Sequence, residues 1–201
     1  VPAVLDVPIA GWCSQEDAVF DLHYLALHHD KLTEVYGLLA DNLSRRTFLN
    51  VLDYKISGKI NYLKEIESPK AEVYNELIHP KQDEIYVDLG AYTGDTIAEL
   101  LSHTNGSYQH IYALEPDRKN HNKLLKYIEK NALAGIDAFQ MGSWSGKDTL
   151  YFSAKAGRNS VLLRDGSTPV AVESVDNLLN GQPCSIIKFD VEGSEEQALL
   201  G

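Results

Sequence analysis

"YVDLGAYTGDT", residues 86–96, runs from an apolar stretch through a glycine turn into the helix-prone "IAELL". "IYVDLG" (85–90) has the near-continuous apolar character of a strand buried on both faces, and "DTIAELLSH" (95–103) reads as the helix that follows. Gly90 and Gly94, four apart, mark the turn between them. A turn of this kind holds a phosphate, holds another ligand, or only redirects the chain. The surrounding sequence has to decide which.

The alternation continues downstream. "HIYALEP" (110–116) is a second strand, "DRKNHNKLLKYIEKNALAG" (117–135) a helix with Gly135 just past its end, and "IDAFQM" (136–141) a third strand. Strands and helices alternating with short connections predict a parallel sheet with helices on its faces, and right-handed crossovers set the order 3-2-1. Over residues 142–175 the rhythm changes: "DTLYFSA", "NSVLLRD" and "PVAVESV" predict an antiparallel excursion. A short helix, "SVDNLLNG", precedes "SIIKFDVEG" (185–193), the fourth parallel strand, and "SEEQALL" starts another helix. The fold class is therefore α/β, with strand order 3-2-1-4.

Residues 1–13, "VPAVLDVPIAGWC", have no period and suggest an extended arm. From Ser14, which stands three before Asp17 in a near capping box, the spacing becomes helical. Leu32, Val35, Tyr36 and Leu39 form one stripe, and Phe48, Val51, Leu52 and Ile56 another, with Gly58 as terminator. Pro69 opens a further helix in "SPKAEVYNELI". The expected division is an arm and helical cap over 1–80, then the α/β domain over 81–201.

The 201 residues are 44% hydrophobic, enough for one sizeable core with an appended element. Acids outnumber bases 29 to 18, a formal charge of -11, so no overall basic field draws the protein to nucleic acid or to an anionic membrane. A small-molecule partner is expected. Cys13 and Cys184 are too few and too separated for a zinc site or a disulfide scaffold, which points to a reducing compartment. With no run of 18 apolar residues and no signal-like start, the expected location is cytoplasmic. His28 and His29 are adjacent and do not share a helix face, and Arg45 with Arg46 reads as a solvated face or ion pair.

In a doubly wound sheet, ligands sit at the carboxyl ends of the strands where the order reverses, here between the turns leaving the first and fourth strands. A pyrophosphate site wants G-x-G-x-x-G, but Tyr92 stands at the middle glycine's place and Asp95 brings an acid to the helix start. No G-K-[ST] follows for a Walker loop either. A zwitterionic amino-acid head with an adenosine tail suits the turn better. Asp88 and backbone carbonyls can meet an ammonium, the glycines admit the ligand body, and Glu115 can accept from both ribose hydroxyls. These features describe S-adenosylmethionine, although Glu115 alone would equally suit NAD on an oxidoreductase.

"YVDLGAYTGDT", "YALEPDRKNHNKL" and "IIKFDVEGSEEQALLG", in this order, resemble the FkbM-type S-adenosylmethionine-dependent methyltransferases. They match that family's D-x-G-A-x-x-G-D-x turn, its E-P after the second strand and its K-x-D-x-E-G-x-E near the fourth, the last being the most specific. The resemblance covers roughly residues 80–201, and "LLADNLSRRTFLNVLDYKISG" looks like a helical lead-in of some members. It implies a Rossmann-like class I methyltransferase sheet and methyl transfer to oxygen, with sugar or polyketide-like hydroxyls among the acceptors. It also implies further C-terminal strands, so the chain is expected to continue. A non-catalytic binding module is the alternative from another class.

The candidate cofactor contacts are Asp88, Gly90, Ala91, Tyr92, Gly94, Asp95, Thr96, Glu115, Pro116, Gly142, Ser143 and Asp190. Lys188, Asp190 and Glu192 would share a face of the fourth strand, and Glu195 follows closely. Asp190 and Glu192 are the candidate catalytic acids, Asp190 nearest the ligand's amine and Glu192 as base or supporting residue. No metal is assigned; Mg²⁺ held by these acids is the alternative to a polar network or N-cap. The N-terminal helices are the expected surface for any homo-oligomer.

Overall fold

The computed structural model describes residues 20–152, 162–163, 168–191 and 193–201. The expected arm over 1–13, the Ser14 capping box, Glu192 and most of the "NSVLLRD" run lie outside them. The chain divides into two compact units, Val1–Lys70 and Ala71–Gly201.

The first unit is helical. Asp21 caps α1 (Leu22–Leu27) by accepting from the Tyr24 N–H at 2.8 Å, and α2 (His29–Leu38) follows at once. Asp41 caps α3 (Asn42–Ser57) in the same way through the Ser44 N–H, and Gly58 closes it at φ 65°, the left-handed geometry glycine adopts without a Cβ clash. Asn50, on α3, donates its side-chain amide to the Tyr62 carbonyl of α4 (Asn61–Lys64) at 3.1 Å. Arg46 pairs with Glu65 at 3.5 Å and Arg45 lies over the Tyr36 ring, so both arginines have partners inside this unit.

In the second unit, α5 (Lys70–Val73) continues into a π-helical turn, Tyr74–Ile78, whose Tyr74 ring stacks on His103 at 4.0 Å. The sheet then forms from β1 (Ile85–Leu89), β2 (His110–Leu114), β3 (Ile136–Phe139) and, after the excursion, the strand Ile186–Phe189. All pairings among them are parallel. Between β3 and that last strand lie β4 (Gly142–Ser143), β5 (Asp148–Phe152), β6 (Leu162–Leu163) and β7 (Thr168–Glu173), so the last is β8 and the order is β3-β2-β1-β8. The sequence expectation of 3-2-1-4 is met.

Alternation along β1 explains why it sits at the centre. Tyr86 packs with Ile97 and Leu100 of α6 (Asp95–His103) and Leu124 of α7 (Arg118–Lys130), while Val87 and Leu89 turn to the opposite face. There they meet Leu114, Val175 and Leu179 of α8 (Val175–Leu179), and Ala198 of α9 (Glu195–Leu199). The excursion is a second sheet, β4-β7-β5-β6. It is antiparallel where β5 meets β6 and β7, but β4 joins β7 in parallel, a pairing that two residues carry no periodic signal to announce. Helix α7 also stops earlier than Gly135. Asn131 caps it, with Ala132 turned left-handed at φ 50°, and Gly135 belongs instead to the entrance of β3, where its carbonyl accepts the Ile111 N–H.

Among the described residues, no helix is long and apolar enough to cross a membrane. Cys184 is a free thiol that donates to the Ile186 carbonyl, and Cys13 lies outside the description.

Because Ile97 is fully buried against β1, Ile97→Ala should lower the unfolding free energy by about 2–5 kcal/mol. Leu125→Ala on α7, where the side chain is 43% exposed, should lose less than about 1 kcal/mol. Urea denaturation of the two variants checks this, and equal losses would remove α6 from the core.

Candidate functional site

The turn after β1 is held from below by a single carbonyl. Leu114, the last residue of β2, accepts from both the Gly90 and Ala91 N–H groups at 3.0 and 2.9 Å. Gly90 has φ 80°, and a Cβ there would lie 2.0 Å from the Asp190 carbonyl oxygen. Gly94 has φ 92°, and its Cβ would lie 2.6 Å from the Tyr127 ring. The chain's own packing therefore requires glycine at both positions, against the β8 turn at Gly90 and against α7 at Gly94.

Asp88 is internal. Its carboxylate is 0% exposed, with the Thr96 hydroxyl donating to Oδ2 and the Lys188 ammonium 3.1 Å from Oδ1. Burial pushes its pKa up, and the lysine charge and the Thr96 hydrogen bond pull it back. The ammonium that meets Asp88 is thus the protein's own. Lys188 also donates to the Gly90 carbonyl at 2.7 Å and lies 3.9 Å from Asp190. Sequence reasoning placed Lys188 on the site's face without giving it a role; the signal was the K-x-D alternation, which sets Lys188 and Asp190 on one side of β8.

Tyr92 takes φ 47°, a left-handed backbone that is uncommon for a bulky residue. Its N–H donates to Glu115 Oε2 at 2.8 Å, and Glu115 Oε1 accepts from the Asp117 N–H at 2.9 Å. Glu115 is buried, and desolvation raises its carboxyl to a pKa of about 7 against the opposing pull of those two backbone donors. Pro116 stands between, and Asp117 caps α7 through the Lys119 and Asn120 N–H groups. Helix α6 has Gly94 as N-cap and no side-chain cap, leaving Asp95 exposed at its first position.

Asp190 is the open acid, its side chain 70% exposed. Glu195, read from sequence as a third acid near the chemistry, instead folds back to accept from the Val191 and Gly193 N–H groups at 3.3 and 2.9 Å. It thereby ties Val191 and Gly193 to the start of α9. Gly142 and Ser143 are buried in β4 of the second sheet, and the Ser143 hydroxyl has no hydrogen-bond partner among the described residues. Hydrogen bonds and close contacts thus gather Asp88, Gly90, Ala91, Tyr92, Thr96, Glu115, Lys188 and Asp190, but none described joins Gly142 or Ser143 to them. Among the described residues, no three histidine, cysteine or acidic side chains converge as metal ligands.

No curated protein matches the sequence. Among solved structures, the methyltransferase FkbM from Methylobacillus flagellatus KT superposes with a TM-score of 0.73 at 23% identity, over 89% of this chain. The chain spans 45% of that protein's length. An rRNA methylase from Streptococcus thermophilus matches 38% of the chain (TM-score 0.31, 18% identity, 41% of that protein). A precorrin-8w decarboxylase from Methanobacterium thermoautotrophicum matches 38% as well (TM-score 0.30, 17% identity, 42% of that protein). These two partial matches bear on nothing beyond themselves. Residues 88–201, from the buried aspartate of β1 through the β8 turn and α9, match the methyltransferase FkbM domain, and the chain belongs to that family.

Proposed function

We propose that the chain is an S-adenosylmethionine-dependent methyltransferase domain that acts on a hydroxyl oxygen of a small molecule, such as a sugar or a polyketide-like product. The observation that carries this reading is Glu115, a buried carboxylate at the end of β2 whose two oxygens each accept a single backbone N–H. Each oxygen keeps an acceptor position, which matches the two adjacent hydroxyls of a ribose. Family membership supplies the reaction type, and the charge of -11 favours a small acceptor over nucleic acid.

The residues present fit the ligand. When bound, S-adenosylmethionine supplies an electrophilic methyl group on a sulfonium. Glu115 would hold the ribose, and the exposed Asp190 would face the ligand's ammonium. Methyl transfer needs the acceptor oxygen, methyl carbon and sulfur in line, so the protein's contribution is chiefly orientation. A hydroxyl acceptor must also lose its proton, and Asp190 or Glu192 is the acid proposed to take it.

NAD would also suit Glu115, but the exposed Asp95 at the start of α6 opposes a pyrophosphate there. Calorimetry separates the two readings. Saturable binding of S-adenosylhomocysteine without binding of NAD is expected, and the reverse result sinks the methyltransferase reading.

The raised pKa of Glu115 also sets a pH dependence. The carboxylate accepts two hydroxyls only when ionised, and the carboxyl titrates near pH 7. The dissociation constant for S-adenosylhomocysteine should therefore rise about tenfold between pH 8 and pH 6. Glu115→Gln should weaken binding by about tenfold at pH 8 and abolish the part of the pH dependence due to this group. A wild-type profile that overlays the variant's would remove Glu115 from the site.

A further inference from the structure

Lys188 makes contacts that a lysine needed only for charge balance would not require. It stands opposite Asp88 in the β1–β8 register, so the two side chains leave the sheet on the same face. Its ammonium lies 3.1 Å from the buried carboxylate, donates to the Gly90 carbonyl at 2.7 Å and sits 3.9 Å from Asp190. The side chain is only 22% exposed. Gly90 in turn lies so close to the Asp190 main chain that no Cβ fits between them. One ammonium therefore touches the strand end, the turn leaving β1 and the acid leaving β8.

We infer that Lys188 is a positioning residue for the proposed methyl transfer: its ammonium joins the Asp88 carboxylate and the Gly90 carbonyl into a strut between the two turns and so sets where Asp190 presents its carboxylate. The inference rests on the cofactor reading above. It also divides the acids by task. Asp88 and the Gly90 carbonyl are occupied by the internal ammonium, which leaves Asp190 as the acceptor for the amine of the ligand.

The bland alternative is that Lys188 only neutralises a buried charge. Three variants of the intact protein, Lys188→Met, Lys188→Arg and the double variant Asp88→Asn/Lys188→Met, distinguish the two. Lys188→Met strands the Asp88 carboxylate, so the unfolding temperature should fall by about 10 °C, and by less as the pH is lowered, because burial already raises the Asp88 pKa. The double variant removes both charges and should recover most of that loss. Its affinity for S-adenosylhomocysteine should nonetheless stay at least about tenfold below wild type, because no ammonium then joins the Gly90 carbonyl to the Asp190 side chain. Lys188→Arg keeps the charge on a wider group and should preserve the fold better than the affinity.

A double variant that folds and binds within about twofold of wild type overturns the inference while leaving the cofactor reading intact. Wild-type protein that fails to bind S-adenosylhomocysteine overturns the cofactor reading and the inference with it.

Discussion

Asp88 has no contact with water, and a carboxylate in that condition needs partners. One is the Thr96 hydroxyl in the first turn of α6, and the other is the Lys188 ammonium on β8. Lys188 can reach it only when β8 lies beside β1 in the register that sets Asp88 opposite Lys188. Removing one member of such a pair typically costs about 3–5 kcal/mol, so strand order and register are tied to it. The start of the same strand pair repeats the device: Ser185 donates its hydroxyl to the buried Glu84, which also accepts the Lys81 N–H. Apolar burial draws β1 to the centre without direction, and these polar contacts select which neighbour it has and in what alignment.

The same constraint shapes the crevice. With β8 held against β1, the Asp190 carbonyl comes to the place a side chain at residue 90 would need, and Tyr127 of α7 does the same at residue 94. Glycine is required at both positions by the protein's own packing. This packing leaves at the surface the left-handed turn at Tyr92, a residue 48% exposed, and the Asp190 carboxylate. Glu115 lies behind the turn, and its hydrogen bond to the Tyr92 N–H supports a backbone conformation that would otherwise be costly.

Much of this was legible from residue patterns. Strand β1 through helix α7 follow from alternating apolar runs and glycine turns, and the acid ending β2 from its place in that alternation. Boundaries were less so. Helix α7 ends at Asn131 because its amide side chain can bond back to the Tyr127 carbonyl, a local choice that the more conspicuous Gly135 obscured. The parallel join of β4 to β7 was not legible, since two residues have no period and their partners lie some 30 residues on.

By itself, the sequence determined the element order, the family motifs and the presence of acids at the carboxyl ends of three strands. Only the tertiary structure decided what each acid does. Asp88 is internal and paired with Lys188, Glu115 is buried and holds two backbone N–H groups, Glu195 closes its own turn, and Asp190 is open. That division depends on burial and on partners as distant as Lys188 and Gly90, 98 residues apart, brought within 2.7 Å by strand register. A linear pattern shows which groups ionise, but solvent access and counter-charge are properties of the folded neighbourhood.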